Sequence, residues 1–222
     1  MTERNALIER ISSIISDYRA LDRVPSGPQH VENWINQFDA AVQLPILVEI
    51  SHVLAKTYIS RKAAESFLDS VFACDKLTGN DPCSFWQNVE VMTIQLGGSS
   101  QRHMVELFRS ILEKKCGPGV GGFRAGEDGT FLYLDDAIFS GNRVIRDFEA
   151  WIRNEAPRVC TVHIVVMVFH RGGQYYAKKK IDTAVKAAGK SISVKWWRMV
   201  ELEDRKRWTD NSDVLRPVSI PP

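Results

Sequence analysis

The chain has 222 residues, 44% hydrophobic and 25% charged, with a formal net charge of +2. That is the composition of a globular protein long enough to bury a core without staples, and the small net charge makes no chain-wide case for a nucleic-acid or membrane surface. The longest apolar run, residues 159–169, is too short to span a bilayer, and the N-terminus alternates charged and apolar residues instead of opening as a signal peptide, so a cytoplasmic protein is expected.

Residues 4–22 place Leu7, Ile8, Ile11, Ile14, Ile15, Tyr18 and Leu21 at helical period. The turn formers of 24–28 break that stripe. A second helix is expected over 29–41, with Val31, Trp34, Ile35 and Phe38 on one face. Pro45 suits the first turn of a third helix, 44–58, and Ser60 suits the N-cap of a fourth, 61–73. Residues 75–84 are rich in turn formers and read as a linker. The expected organisation is a helical region at 1–84 and a main domain at 85–222.

The pattern changes after residue 87. Residues 88–96 alternate and are β-prone, and 101–115 carry a helical stripe. Residues 116–129 hold six glycines and a proline, too many for a regular element and too long for an ordinary connection. A strand ends at Asp135–Asp136, a helix covers 143–154, and 161–169 is a strand apolar on both faces, as central parallel strands are. A turn at 170–173, a helix at 174–188 and a strand at 191–200 complete the order. This alternation predicts an α/β fold, a doubly wound and mainly parallel sheet with right-handed crossovers, carrying an N-terminal helical extension. Cys74, Cys83, Cys116 and Cys160 form no CxxC pair and no metal-site spacing, so they read as small thiols in a reducing cytosol.

Asp135 and Asp136 fall at the carboxyl end of a strand, where open parallel sheets bind ligands. The turn Phe139-Ser140-Gly141-Asn142-Arg143 then leads into a helix at about Val144. The amide groups at a helix start suit a phosphate. Gly141 lets the backbone approach closely, Ser140 adds a hydroxyl, and two carboxylates suit the hydroxyls of a sugar. The ligand outlined is a sugar phosphate, with its phosphate on the turn and its diol on the acids.

The run "LYLDDAIFSGNR" (132–143) resembles the phosphoribosyl diphosphate (PRPP) motif of type I phosphoribosyltransferases. The resemblance implies that Asp135 and Asp136 are the catalytic pair holding the ribose 2′ and 3′ hydroxyls. It implies that Phe139, Ser140, Gly141, Asn142 and Arg143 hold the 5′-phosphate. Two positions depart from the motif: Arg143 stands where Thr or Ser is usual, and Phe139 where a small residue is usual. The family's order along the chain is also present. "LGGSSQ" (96–101) resembles the pyrophosphate loop, which assigns Gly97, Gly98, Ser99 and Ser100 to the substrate. Residues 116–129 then resemble the mobile lid, with Arg124 as its cation. Mg2+ would arrive on the pyrophosphate, without a direct protein ligand. The implied activity is transfer of phosphoribosyl to a nitrogen acceptor with release of pyrophosphate, under an N-terminal hood.

Trp34, Gln37 and Phe38 in "NWINQF", and "NSDVLRP" (211–217), resemble a divergent branch found in bacterial conflict and antiphage gene neighbourhoods. A defence-system partner protein follows from that resemblance, and a homodimer is left open. Plainer readings stand beside these. Ser99 or Ser100 can be an ordinary N-cap, and His163 a hydrogen-bonded core residue. His170 and Arg171 follow a strand end where the family often meets its acceptor base. Residues 174–208 hold ten Lys/Arg against four acids, interleaved with Trp196, Trp197 and Trp208. That stretch suits nucleic acid or a solvated face, with one of the adjacent tryptophans buried. The alternative function is a non-catalytic sugar-phosphate sensor that binds nucleic acid through this basic third.

Overall fold

A computed structural model describes residues 2–18, 27–97, 99–204 and 212–213. The chain divides into two compact units, Met1–Ser66 and Phe67–Pro222. The first holds α1 (Glu3–Ile14), α2 (Pro28–Ile35), α3 (Ala40–Thr57) and the start of α4 (Arg61–Phe72). Its core is Ile8, Ile11, Val31, Ile35 and Leu47. Thr2 caps α1 by accepting from the Asn5 amide, and Ser60 Oγ accepts from Ala63 N–H at 3.1 Å, as its N-cap assignment requires. Trp34 packs edge-on against Phe38 at 5.4 Å. Pro45 lies inside α3 and not in its first turn. The preceding residues 40–44 are helix formers, so the helix starts upstream and loses one backbone bond at the proline. The expected extension of α1 to residue 22 falls partly outside the described residues.

Residues 67–84 pack within the second unit. Leu68, Val71 and Phe72 of α4 join Leu77 and Trp86 in one cluster, and Trp86 Nε1 donates to Phe72 O at 3.0 Å. The expected linker is instead two short helices, α5 (Asp75–Thr78) and α6 (Pro82–Gln87). Its turn formers act as helix punctuation. Gly79 follows α5 at φ +67°, and Asp81 caps α6 with Pro82 in the first turn.

Four strands build the sheet: β1 (Val89–Val91), β2 (Gly129–Ile138), β3 (Val159–His170) and β4 (Ser191–Leu202). They pair in parallel in the order β1-β2-β3-β4. The connections are α7 (Ser100–Cys116), α8 (Asn142–Asn154) and α9 (Arg171–Ala187). β1 is far shorter than the expected 88–96, because Gln95 and Leu96 bond to side chains of α7 and α8 instead of a ladder. The 170–173 turn is absent: β3 runs to His170, whose Nδ1 accepts from Gly173 N–H and caps α9 directly.

Alternation along β2 divides the core. Phe131 and Tyr133 pack with Val144, Phe148, Ala177 and Ile181, whereas Leu132 and Leu134 pack with Met104, Phe108 and Leu112. Helices therefore cover both faces, α7 on one, α8 and α9 on the other. Yet β1, β2 and β3 step across the sheet in one direction. The crossovers through α7 and α8 must then have opposite hands, against the expectation that all are right-handed. The rule reflects a connection folding straight back onto a twisted strand; residues 117–128 give this one the length to return the other way.

Cys83 and Cys116 form a disulfide, with Cα atoms 5.4 Å apart, where α6 meets the end of α7. Only Cys74 and Cys160 match the expected free thiols. Trp196 and Trp197 point to opposite faces as alternation demands, but both are half-buried, since β4 is an edge strand. Trp197 Nε1 donates to His163 Nδ1 at 3.0 Å, and burial pushes His163 down to about 4, so it is a neutral core acceptor. Trp208, the basic residues 205–207 and most of 211–217 lie outside the described residues.

Candidate functional site

β2 carries Tyr133 and Asp135 on one face, two residues apart, and delivers both to the carboxyl end of the sheet. Asp135 is buried, with 2% of its surface exposed. Its Oδ1 accepts from Ser100 Oγ at 2.7 Å and from Asp136 N–H at 2.9 Å. Its Oδ2 lies 3.4 Å from the Tyr133 hydroxyl and 3.5 Å from Gln95 Nε2. Burial pushes Asp135 up to about 6, opposed by the Ser100 hydrogen bond and reinforced by the Asp136 charge. Asp136 is half-buried, with Oδ1 on the Ala137 amide at 2.8 Å.

Ser100 joins three segments. It opens α7, donates to Asp135, and accepts from Arg143 Nη1 at 3.3 Å. Arg143, which departs from the resembled motif, thus bridges the turn after β2 to the loop after β1. That loop is ordered by a reciprocal pair: Gln95 N–H donates to Gln101 Oε1 at 2.9 Å, and Gln101 N–H to Gln95 Oε1 at 3.3 Å. Ser99 occupies the N-cap position of α7 without a side-chain cap. Gly97 is exposed, and Gly98 lies outside the described residues.

In the turn, Phe139 is 61% exposed. Ser140 Oγ accepts from Asn142 N–H at 3.3 Å. Gly141, the N-cap, sits at φ +79° and has no side chain to cap α8; with the Asn142 amide taken by Ser140, the amides that follow are suited to an anion. The packing of α9 supplies a separate reason for Gly141. A Cβ there would stand 2.6 Å from Gly173 O and 3.0 Å from the Ala177 Cβ, so the glycine is required by the close approach of α9.

Arg124 is not gathered with these residues. It pairs with Glu90 at 2.6 Å, and Ala125 N–H donates to the same carboxylate at 2.9 Å. Glu127 accepts from the Arg158 and Val159 amides at 2.9 and 3.0 Å. Glu90 lies opposite Phe131, four residues before Asp135, hence roughly 13 Å down the strand at about 3.3 Å per residue. The glycine-rich segment is therefore held along β1 and the start of β3, with Arg124 away from the acids.

Sequence reasoning missed Gln95, Gln101, Tyr133 and Asp147. Two of them left a signal. Tyr133 shares the face of Asp135, and Asp147 is an acid among the apolar residues Val144, Ile145, Phe148, Trp151 and Ile152 of α8.

A four-stranded, all-parallel sheet with helices on both faces is consistent with a phosphoribosyltransferase-like fold. A family model described as PRTase-CE matches residues 31–221, and the chain belongs to that family. No curated protein sequence matches the chain. Among the described residues no helix is long and apolar enough to cross a membrane.

Proposed function

We propose that this phosphoribosyltransferase-like chain binds PRPP and transfers its phosphoribosyl group to a nitrogen acceptor. The supporting observation is the convergence at Ser100, where the loop after β1, the acid pair and the turn after β2 share one hydroxyl. A ligand with a diphosphate, a diol and a 5′-phosphate would need those three segments together. Asp136 would take the diol from its half-buried position, and the α8 N-terminus with Ser140 and Arg143 would take the 5′-phosphate. In the reaction the anomeric C–O bond to pyrophosphate breaks and a C–N bond forms. The acceptor's proton leaves to solvent or pyrophosphate. The carboxylates beneath the ring would stabilise positive charge on the sugar in an oxocarbenium-like transition state. Magnesium enters as part of the substrate, neutralising the departing pyrophosphate.

The test is calorimetric titration with PRPP and magnesium, and with ribose 5-phosphate, followed by pyrophosphate release over a panel of bases. Asp136→Asn should weaken PRPP by about tenfold or more, the worth of a charge-assisted hydrogen bond. A protein that binds neither sugar phosphate refutes the reading. Binding without turnover for any acceptor would favour the sensor alternative, which the internal pairing of Asp135 with Ser100 supports. The antiphage setting rests on the resemblance around Trp34 and Asp135. A nucleic-acid partner would be drawn to the lysines of α9, among which Lys178 is already paired with Asp182. Salt-dependent binding of a single-stranded oligonucleotide tests it.

A further inference from the structure

Asp147 has no packing reason to be where it is. It lies 2% exposed on the buried face of α8, where a lone carboxylate is costly. Its two oxygens serve two different segments. Oδ1 accepts from Leu96 N–H at 3.2 Å, and Oδ2 accepts from the Tyr133 hydroxyl at 3.0 Å. Leu96 is 72% exposed, so apolar packing does not bring its amide to Asp147.

Tyr133 is fully buried between two acids, 3.0 Å from Asp147 Oδ2 and 3.4 Å from Asp135 Oδ2. A phenol has one proton to donate. The shorter contact gives it to Asp147, and the phenol oxygen then turns lone pairs toward Asp135. That arrangement is favourable when Asp135 carries a proton on Oδ2 and donates it to Tyr133.

We infer that Asp147 is a positioning residue of this site: it anchors the loop after β1 through the Leu96 amide and, by holding the Tyr133 proton, sets whether Asp135 is protonated or ionised when a ligand arrives. This rests on the proposed reading of the acids as diol ligands. The charged and titratable groups around the relay are Asp135, Asp136 and Tyr133 from β2, with Arg143 and Arg146 from α8. The loop after β1 adds the neutral Gln95, and α7 the neutral Ser100. Burial raises both Asp135 and Asp147; the Leu96 amide, the Tyr133 hydroxyl and then the two arginines pull Asp147 back down.

The experiment follows the Asp135 side-chain carboxyl carbon by NMR against pH, without ligand, in the parent and in Asp147→Asn. The amide keeps an acceptor for Leu96 N–H, removes a charge, and donates to the Tyr133 oxygen. The phenol proton then turns to Asp135, whose midpoint should fall by about one pH unit or more. Tyr133→Phe added to that variant should return part of the fall. A purely structural role would leave the midpoint unmoved, and a fall due to the lost Asp147 charge alone would persist unchanged with Tyr133→Phe added. If Asp147→Asn does not fold, Asp135→Asn read at Asp147 must show the same coupling, because coupled sites titrate reciprocally. An unmoved midpoint in whichever variant folds overturns the inference. Ribose 5-phosphate affinity against pH is measured on the same proteins. If the carboxyl midpoints shift as expected but no variant binds ribose 5-phosphate, the relay stands and the functional reading fails.

Discussion

Replacing Asp135 by asparagine should stabilise the protein at neutral pH. Burial moves Asp135 from its ordinary 3.8 to about 6. The native state thus holds this proton after the unfolded chain has released it. Stability contributed by the protonated form is complete below the unfolded value, falls as pH rises between the two, and stays lost above about 6. A gap of about two pH units at about 1.4 kcal/mol each gives a cost on the order of 3 kcal/mol at pH 7. Asparagine does not ionise. Its Oδ1 can still accept from Ser100 and the Asp136 amide, and its Nδ2 can donate toward Tyr133. Denaturant unfolding of both proteins at pH 4.5 and 7.5, without ligand, measures the effect. The variant should gain on the parent by about 2 kcal/mol between the two pH values. A stability difference independent of pH would show that Asp135 ionises in the folded protein as it does in water, and would refute the buried-acid account.

Three further outcomes follow from the geometry. Gly141→Ala should lower stability by about 2 kcal/mol or more even without ligand, through its positive φ and the contact with Gly173 O; an unchanged melting temperature would contradict that close approach. Cys83→Ser should cost about 3–4 kcal/mol by freeing a closure across a sequence separation of 33, and a reductant should destabilise the parent but not the variant. Glu90→Ala should release the glycine-rich segment, seen as faster hydrogen exchange at the Ala125 amide; unchanged exchange there would mean that Glu90 does not hold it.

How far the sequence could be read depended on the range of the determining contact. β3 was legible because both of its faces are apolar, and the Asp135–Arg143 segment because acids, small residues and a helix start lie next to one another in the chain. β1 was overextended because alternation continues past Val91, while Gln95 and Leu96 are claimed by side chains 6 and 51 residues away. The disulfide, the Glu90–Arg124 pair and the packing of Gly173 against Gly141 are set by which elements the sheet brings together. The hand of the crossover through α7 was hidden for the same reason: nothing local in 117–128 records the face to which it returns.

The three-residue length of β1 bears on how the site is assembled. β2 and β3 are locked by a long ladder, but β1 pairs with β2 at Val89, Glu90 and Val91, with one further bond from Met92 N–H to Leu132 O. The Gln95–Ser100 segment begins four residues after this short ladder. Fraying of β1 would leave that segment held by its ties to Asp147 and Asp135, while the Asp135–Arg143 turn stayed folded on the central strands. The two halves of the site then belong to different cooperative units. A ligand bridging them would have to order the looser half as it binds, and its observed affinity would be reduced by the fraction of molecules in which β1 is detached. Mutations that lengthen the β1 ladder would tighten binding without touching any group that meets the ligand.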